Sequence, residues 1–112
     1  MLSVVNERGP KVFSSKIDAY EILYSENPIG PTILLKAGGR LIGRIRFRPN
    51  DTALAADDER DGVVNMNFHL FSYPNIVDLL RNEKPLYLHA MFVLGGACTI
   101  ATAEEPVGEE ET

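Results

Sequence analysis

Four arginines occur within the nine residues Arg40–Arg48, in a chain whose formal net charge is −5. Successive side chains of a β-strand alternate between its two faces. A strand here therefore carries three guanidinium groups on one face, those of Arg44, Arg46 and Arg48, and an apolar set on the other, Leu41, Ile45 and Phe47. Guanidinium groups bind carboxylates and phosphates through paired hydrogen bonds, so the cationic face is a candidate anion site.

Residues 63–71 form a second strand pattern whose polar side chains are hydrogen-bond donors. If this segment pairs antiparallel with residues 40–48, its polar face adjoins the arginines. The predicted ligand-binding residues are then Arg44, Arg46, Arg48, Asn65, Asn67 and His69. The more ordinary interpretation is that the arginines form cross-strand ion pairs with Asp18, Glu21 or the acidic segment 51–61, and simply keep the face soluble.

Two functions fit these residues. The first, which we favour, is a non-enzymatic binding or interaction module whose arginine face takes an anionic ligand or an acidic protein. The alternative is a small enzyme with a pocket built from His69, His89, Arg44 and Arg46, which could serve as base and anion clamp. A closed polar cavity holding both histidines would favour the enzyme, whereas a flat arginine face would favour binding.

No complete motif for a metal, a cofactor or a nucleophile is present, and none of these is predicted. Residues 57–62 match the front half of a calcium loop, but Phe68 stands where the bidentate glutamate is required. His69, His89 and Cys98 lack the paired spacing of a zinc site. Cys98 lies among alanines with Ile100 nearby, a setting typical of a buried structural thiol.

The arginine segment belongs to a predicted hairpin, residues 32–48, that turns at Gly38-Gly39. Two registers are open. A two-residue turn sets Ile33 beside Arg44, whereas a connection of three residues, such as a glycine bulge, sets Ile33 beside Ile45. The second register brings apolar partners together and is the one we expect.

The remaining elements follow from periodicity. Residues 16–24 carry mixed signals, because Ser15 and Asp18 suggest a helix cap while Tyr20, Ile22 and Tyr24 alternate as in a strand; we expect the strand. Ser72 and Pro74 begin a short helix at 74–83. Its predicted buried stripe is Ile76, Leu79 and Leu80.

The order strand, hairpin, strand, helix, hairpin leaves few connections long enough for parallel crossovers. The predicted fold is mainly β with a minor α part: an antiparallel sheet or small barrel of about six strands with one short helix near 74–83. The last hairpin, 86–94 and 97–103 around Gly95-Gly96, is apolar on both sides, with Leu88, Ala90 and Phe92 on one and Met91, Val93, Cys98 and Ile100 on the other. An exposed apolar face usually marks an interface, so we expect a homo-oligomer through this hairpin unless the helix at 74–83 covers that face.

The chain of 112 residues fits one globular domain, predicted at 1–103, followed by an acidic tail at 104–112 with too little apolar content to order itself. The negative net charge argues against nucleic acid as the partner. The single cysteine allows no internal disulfide and favours a reducing compartment. With no apolar segment of about 20 residues and no signal-peptide pattern, the expected location is the cytoplasm, away from membranes.

Overall fold

A computed structural model describes residues 3–4, 11–26, 30–92 and 97–103. Its described part contains nine strands, and a 3₁₀ turn at Leu70–Ser72 and one α-helix, α1, at Tyr73–Asn82 lie between the seventh and the eighth strand. The strands are β1 Ser3–Val4, β2 Lys11–Ile17, β3 Ala19–Tyr24, β4 Pro31–Ala37, β5 Arg40–Arg48, β6 Asp58–Arg60, β7 Val63–His69, β8 Leu86–Phe92 and β9 Ala97–Thr102.

The strands form two sheets, with the order β1-β2-β8-β9 in sheet A and β3-β4-β5-β7-β6 in sheet B. The expectation of a mainly β protein with one short helix is confirmed. The structure differs from that expectation in three details. The described part holds nine strands instead of about six, the sheets do not close into a barrel, and β5 pairs with β7 in parallel.

The core lies between the two sheets. Strand alternation places Ile33, Ile45 and Met66 of sheet B and Phe13 and Leu88 of sheet A inside, each at most 1% exposed. The sheets approach each other closely at Gly43, where an added Cβ would come within 3.0 Å of Leu88 Cδ2. A side chain at this position would therefore push the sheets apart or force leucine side chains to move.

The β4–β5 hairpin combines the two registers that the sequence left open. Gly38 and Gly39 form a two-residue turn with φ of 59° and 80°, which only glycine adopts easily. The register then shifts after Leu35, and Ile33 lies opposite Ile45 as expected. The extra residue is absorbed by a bulge inside the strand instead of at the turn.

The bulge also corrects the assignment of one apolar side chain. Leu41 pairs with Lys36, so it lies on the outer side of sheet B and is only half-buried. Ile42 takes the core position and is 2% exposed. Beyond the bulge, the alternation predicted from the sequence holds for Ile45 and Phe47.

Residues 16–24 contain the end of β2 and the whole of β3, so the strand interpretation is confirmed over the helix. The helix itself begins at Tyr73, with Pro74 in its first turn, and ends at Asn82. Ile76 and Leu80, one turn apart, are buried against the core, and Leu79 is half-buried. Within the described residues no helix is long and apolar enough to cross a membrane.

The last hairpin places its apolar side chains differently from the prediction. Cys98 lies opposite Ala90 and Ile100 opposite Leu88, so all four face the core, and Cys98 and Ile100 do not share a side with Met91. The outer face of sheet A instead carries Met91, 49% exposed, beside Val12, 42% exposed. The predicted turn at Gly95-Gly96, Val93 and the acidic tail 104–112 lie outside the described residues.

Candidate anion-binding site

The three arginines of the predicted site lie on the outer face of sheet B. Burial of Ile45 and Phe47 against the core forces Arg44, Arg46 and Arg48 outwards. Arg46 is exposed, whereas the flanking Arg44 and Arg48 are half-buried. The arginines therefore form a row along the middle strand of a five-stranded sheet.

Strand β7 brings Asn65, Asn67 and His69 beside this row, although by parallel pairing and not by the antiparallel pairing we assumed. The register sets Arg44 opposite Asn65, Arg46 opposite Asn67 and Arg48 opposite His69. The arginines and the polar side chains of β7 still share the outer face, because side-chain alternation has the same period of two in either strand direction. All six residues of the predicted site thus lie on one surface.

The asparagines fix the orientation of two of the guanidinium groups. Arg44 Nη1 donates to Asn65 Oδ1 at 2.9 Å, and Arg48 Nε donates to Asn67 Oδ1 at 3.3 Å. Each asparagine also donates through Nδ2: Asn65 to Asp58 Oδ1 at 2.9 Å, and Asn67 to the carbonyl oxygens of Ala55 and Ala56, both at 3.4 Å. The amides are therefore held from both sides.

The expected ion pairs of the arginines are not formed within the described part of the chain. Glu21 instead accepts from Lys36 Nζ at 3.1 Å, and Asp18 Oδ2 accepts from the backbone N–H of Gly38 at 2.7 Å. In the acidic segment, Asp58 accepts from Asn65, so an amide separates its carboxylate from Arg44. Among the described residues Arg46 has neither a hydrogen bond nor an ion pair from its side chain.

Residues 55–61 form a wall along one side of the arginine row and enclose a groove of about 460 Å³. The wall carries both signs of charge, since Asp58 lies 3.9 Å from Arg60 and Asp61 also lines the groove. The floor and wall are lined by Arg44, Arg46, Arg48, Ala55, Ala56, Asp58, Arg60, Asp61, Val63, Asn65 and Asn67. No aromatic ring is among these lining residues. We call this feature the arginine groove.

The wall depends on a turn that sequence reasoning missed. Strand β6 and the start of β7 form a hairpin through Asp61 and Gly62, with φ of 55° and 83°. The pair Asp61-Gly62 is the sequence signal that could have located this turn, because Asp-Gly strongly favours a two-residue hairpin connection. The hairpin leaves β6 on the sheet edge, and β7 takes the position beside β5.

The two histidines lie on opposite sides of the molecule. His69 belongs to sheet B, where its Nε2 donates to the carbonyl oxygen of Thr52 at 2.8 Å. His89 is exposed on the outer face of sheet A, hydrogen-bonded through Nδ1 to Ser14 Oγ at 3.0 Å. The pocket required by the enzyme alternative, with both histidines beside Arg44 and Arg46, is therefore not assembled.

Cys98 of β9 lies near the carboxylate of Asp57, which precedes β6 and accepts from the backbone N–H of Asn67 at 2.9 Å. Burial, followed by the negative charge of Asp57, raises the pKa of Cys98 from its ordinary value of 9.0 to about 12. The thiol stays protonated at neutral pH and has a structural role here.

Across the described ranges, no group of three or more histidine, cysteine, aspartate or glutamate side chains is arranged to hold a metal ion. Comparison with protein-family models, curated proteins and solved structures gave no match. The arginine groove is thus characterised by its geometry and charge alone.

Proposed function

We propose that this protein is a non-enzymatic binding module whose arginine groove takes an anionic ligand or an acidic segment of a partner protein. The observation that carries the proposal is that Arg44, Arg46 and Arg48 share one face without a carboxylate partner among the described residues. Arg44 and Arg48 donate to neutral amides, which orient a guanidinium group without neutralising its charge, and Arg46 has no side-chain partner among these residues.

Such an arrangement has an energetic cost without an anion. Like charges that share a strand face repel one another, and the usual compensation is an acidic residue across the strand. Here Glu21 and Asp18 are engaged elsewhere, and the groove lining holds only two aspartates, Asp58 and Asp61, against four arginines. A bound anion would supply the missing charge, and the free N–H groups of Arg46 would bind it bidentately.

The test is the double variant Arg44→Gln/Arg46→Gln, measured for both anion binding and thermal unfolding. Heparin serves as the general polyanion, and its affinity for wild type should fall as salt is added, because binding releases counterions. The matched control is Lys16→Gln/Lys84→Gln, which removes the same formal charge from exposed positions that do not line the groove.

We expect the double arginine variant to lose about tenfold or more in heparin affinity and to keep a cooperative unfolding transition near that of wild type. The lysine control should lose less affinity: the logarithm of its heparin affinity should fall by less than half as much as that of the arginine variant. A wild type that binds no anion even at low salt, together with clear destabilisation of the arginine variant, would overturn the proposal and leave the arginines as structural residues.

A further inference from the structure

The shape of the arginine groove restricts the choice of ligand more than the charge of the groove does. The groove runs beside one strand, with residues 55–61 as its wall and the side chains of β5 and β7 as its floor. Arg44, Arg46 and Arg48 succeed one another at every second residue, so their attachment points are spaced by about 7 Å along a line. This geometry suits a linear ligand with regularly spaced anionic groups.

We propose that the ligand is an acidic peptide segment in extended conformation, with carboxylates at alternate positions. This inference depends on the proposed anion-binding function. An extended peptide has the same repeat as the strand beneath it, so side chains at i, i+2 and i+4 repeat at about 7 Å and face one way. Three carboxylates at these positions match the three arginines one to one.

The chemistry of the groove favours a peptide over a nucleic acid. No aromatic ring lines the groove, so it offers no stacking platform for bases. Asp58 and Asp61 on the wall repel a phosphate chain that must pass along the whole groove. An extended peptide directs its alternate carboxylates towards the arginines of the floor and its remaining, uncharged side chains away from it, so that its anionic groups need not follow the wall.

The hydrogen bonds also indicate which of the three arginines should contribute most to peptide binding. Arg44 and Arg48 each direct one nitrogen to an asparagine, whereas the exposed central Arg46 has all its donors available among the described contacts. Arg46 should therefore bind the central carboxylate with both prongs of its guanidinium group. Arg46→Gln is expected to weaken peptide binding more than Arg44→Gln or Arg48→Gln.

The experiment compares two heptapeptides of identical composition, Ser-Glu-Ser-Glu-Ser-Glu-Ser and Ser-Ser-Glu-Glu-Glu-Ser-Ser. When the second peptide is in extended conformation, only two of its three carboxylates face the protein. Binding is measured by ¹H–¹⁵N NMR titration of the full chain, which detects weak affinities and reports the side-chain amide signals of Asn65 and Asn67. A short oligothymidylate with three phosphates is the third probe.

We expect the alternating peptide to bind about threefold to fivefold more tightly than the block peptide, to shift both asparagine signals, and to lose this preference in Arg46→Gln. Equal binding of both peptides would overturn the alternate spacing while leaving anion binding intact. Tighter binding of the oligothymidylate would overturn the peptide in favour of nucleic acid. Failure of all three probes and of heparin would remove the proposed function itself.

Discussion

Replacement of the central arginine by glutamine should stabilise the protein slightly. Arg46 has no partner to lose among the described residues, and it lies between two other guanidinium groups on the same strand face. Removal of its charge abolishes two repulsive interactions, one with Arg44 and one with Arg48. A stabilising change at a residue needed for binding is the expected signature of a functional position.

The magnitude follows from the strand geometry. At a separation of about 7 Å in a dielectric near that of water, each like-charge pair costs about 0.6 kcal/mol. Screening at physiological ionic strength, with a Debye length of about 8 Å, reduces this by about half. The two pairs together give about 0.5 kcal/mol, which corresponds to a rise in Tm of roughly 2 °C for a domain of this size.

Thermal unfolding of wild type and Arg46→Gln measures this difference, with Lys16→Gln as the control. Lys16 is exposed on the outer face of sheet A, so its replacement makes the same change in net charge without relieving the arginine row. The gain of Arg46→Gln over the control should increase at low salt and shrink at high salt. A variant that is less stable than the lysine control at every salt concentration would refute the reasoning and show that Arg46 has a stabilising partner.

Other predictions address the rest of the molecule. Because the folded state raises the pKa of Cys98 to about 12, the thiol of the unfolded chain ionises first as pH rises through 9. The free energy of unfolding, measured by chemical denaturation, should therefore fall between pH 9 and 12 more steeply in wild type than in Cys98→Ala. Truncation after Ala103 should leave the unfolding midpoint almost unchanged, since the acidic segment has little apolar content; a loss of several degrees would mean that it docks. If the exposed apolar pair on sheet A joins two copies of the chain, light scattering should show an oligomer for wild type and a monomer for Met91→Lys, whereas a wild-type monomer at micromolar concentration removes this idea.

Local periodicity in the sequence was enough to predict the elements of the site. Alternation in β5 and β7 correctly assigns Arg46 and Asn67 to an outer face and Ile45 and Met66 to the core. The same reasoning identifies β3 as a strand and α1 as a helix. These assignments succeed because the direction of a side chain depends on its neighbours in the chain, and a strand half-buried against a core must show its pattern over a few residues.

The strand partners, by contrast, were decided by the tertiary structure. Because β7 lies between β5 and β6, the connection 49–57 must pass over one strand position to reach β6. The free-energy cost of closing such a loop changes only slowly with its length. Nothing in the loop sequence therefore selects the neighbouring strand. The parallel direction follows from this non-local choice, and the separation of His69 from His89 follows from the placement of β7 and β8 in different sheets.

The difference matters most for the charges of the arginine groove. By itself the sequence determined that three arginines share a face and that acids are available within the chain to neutralise them. Only the folded chain shows Glu21 bound to Lys36, Asp18 bound to a turn, and an asparagine placed between Arg44 and Asp58. Electrostatic compensation depends on distances of a few ångströms between residues far apart in sequence, and those distances are set by packing and not by residue order.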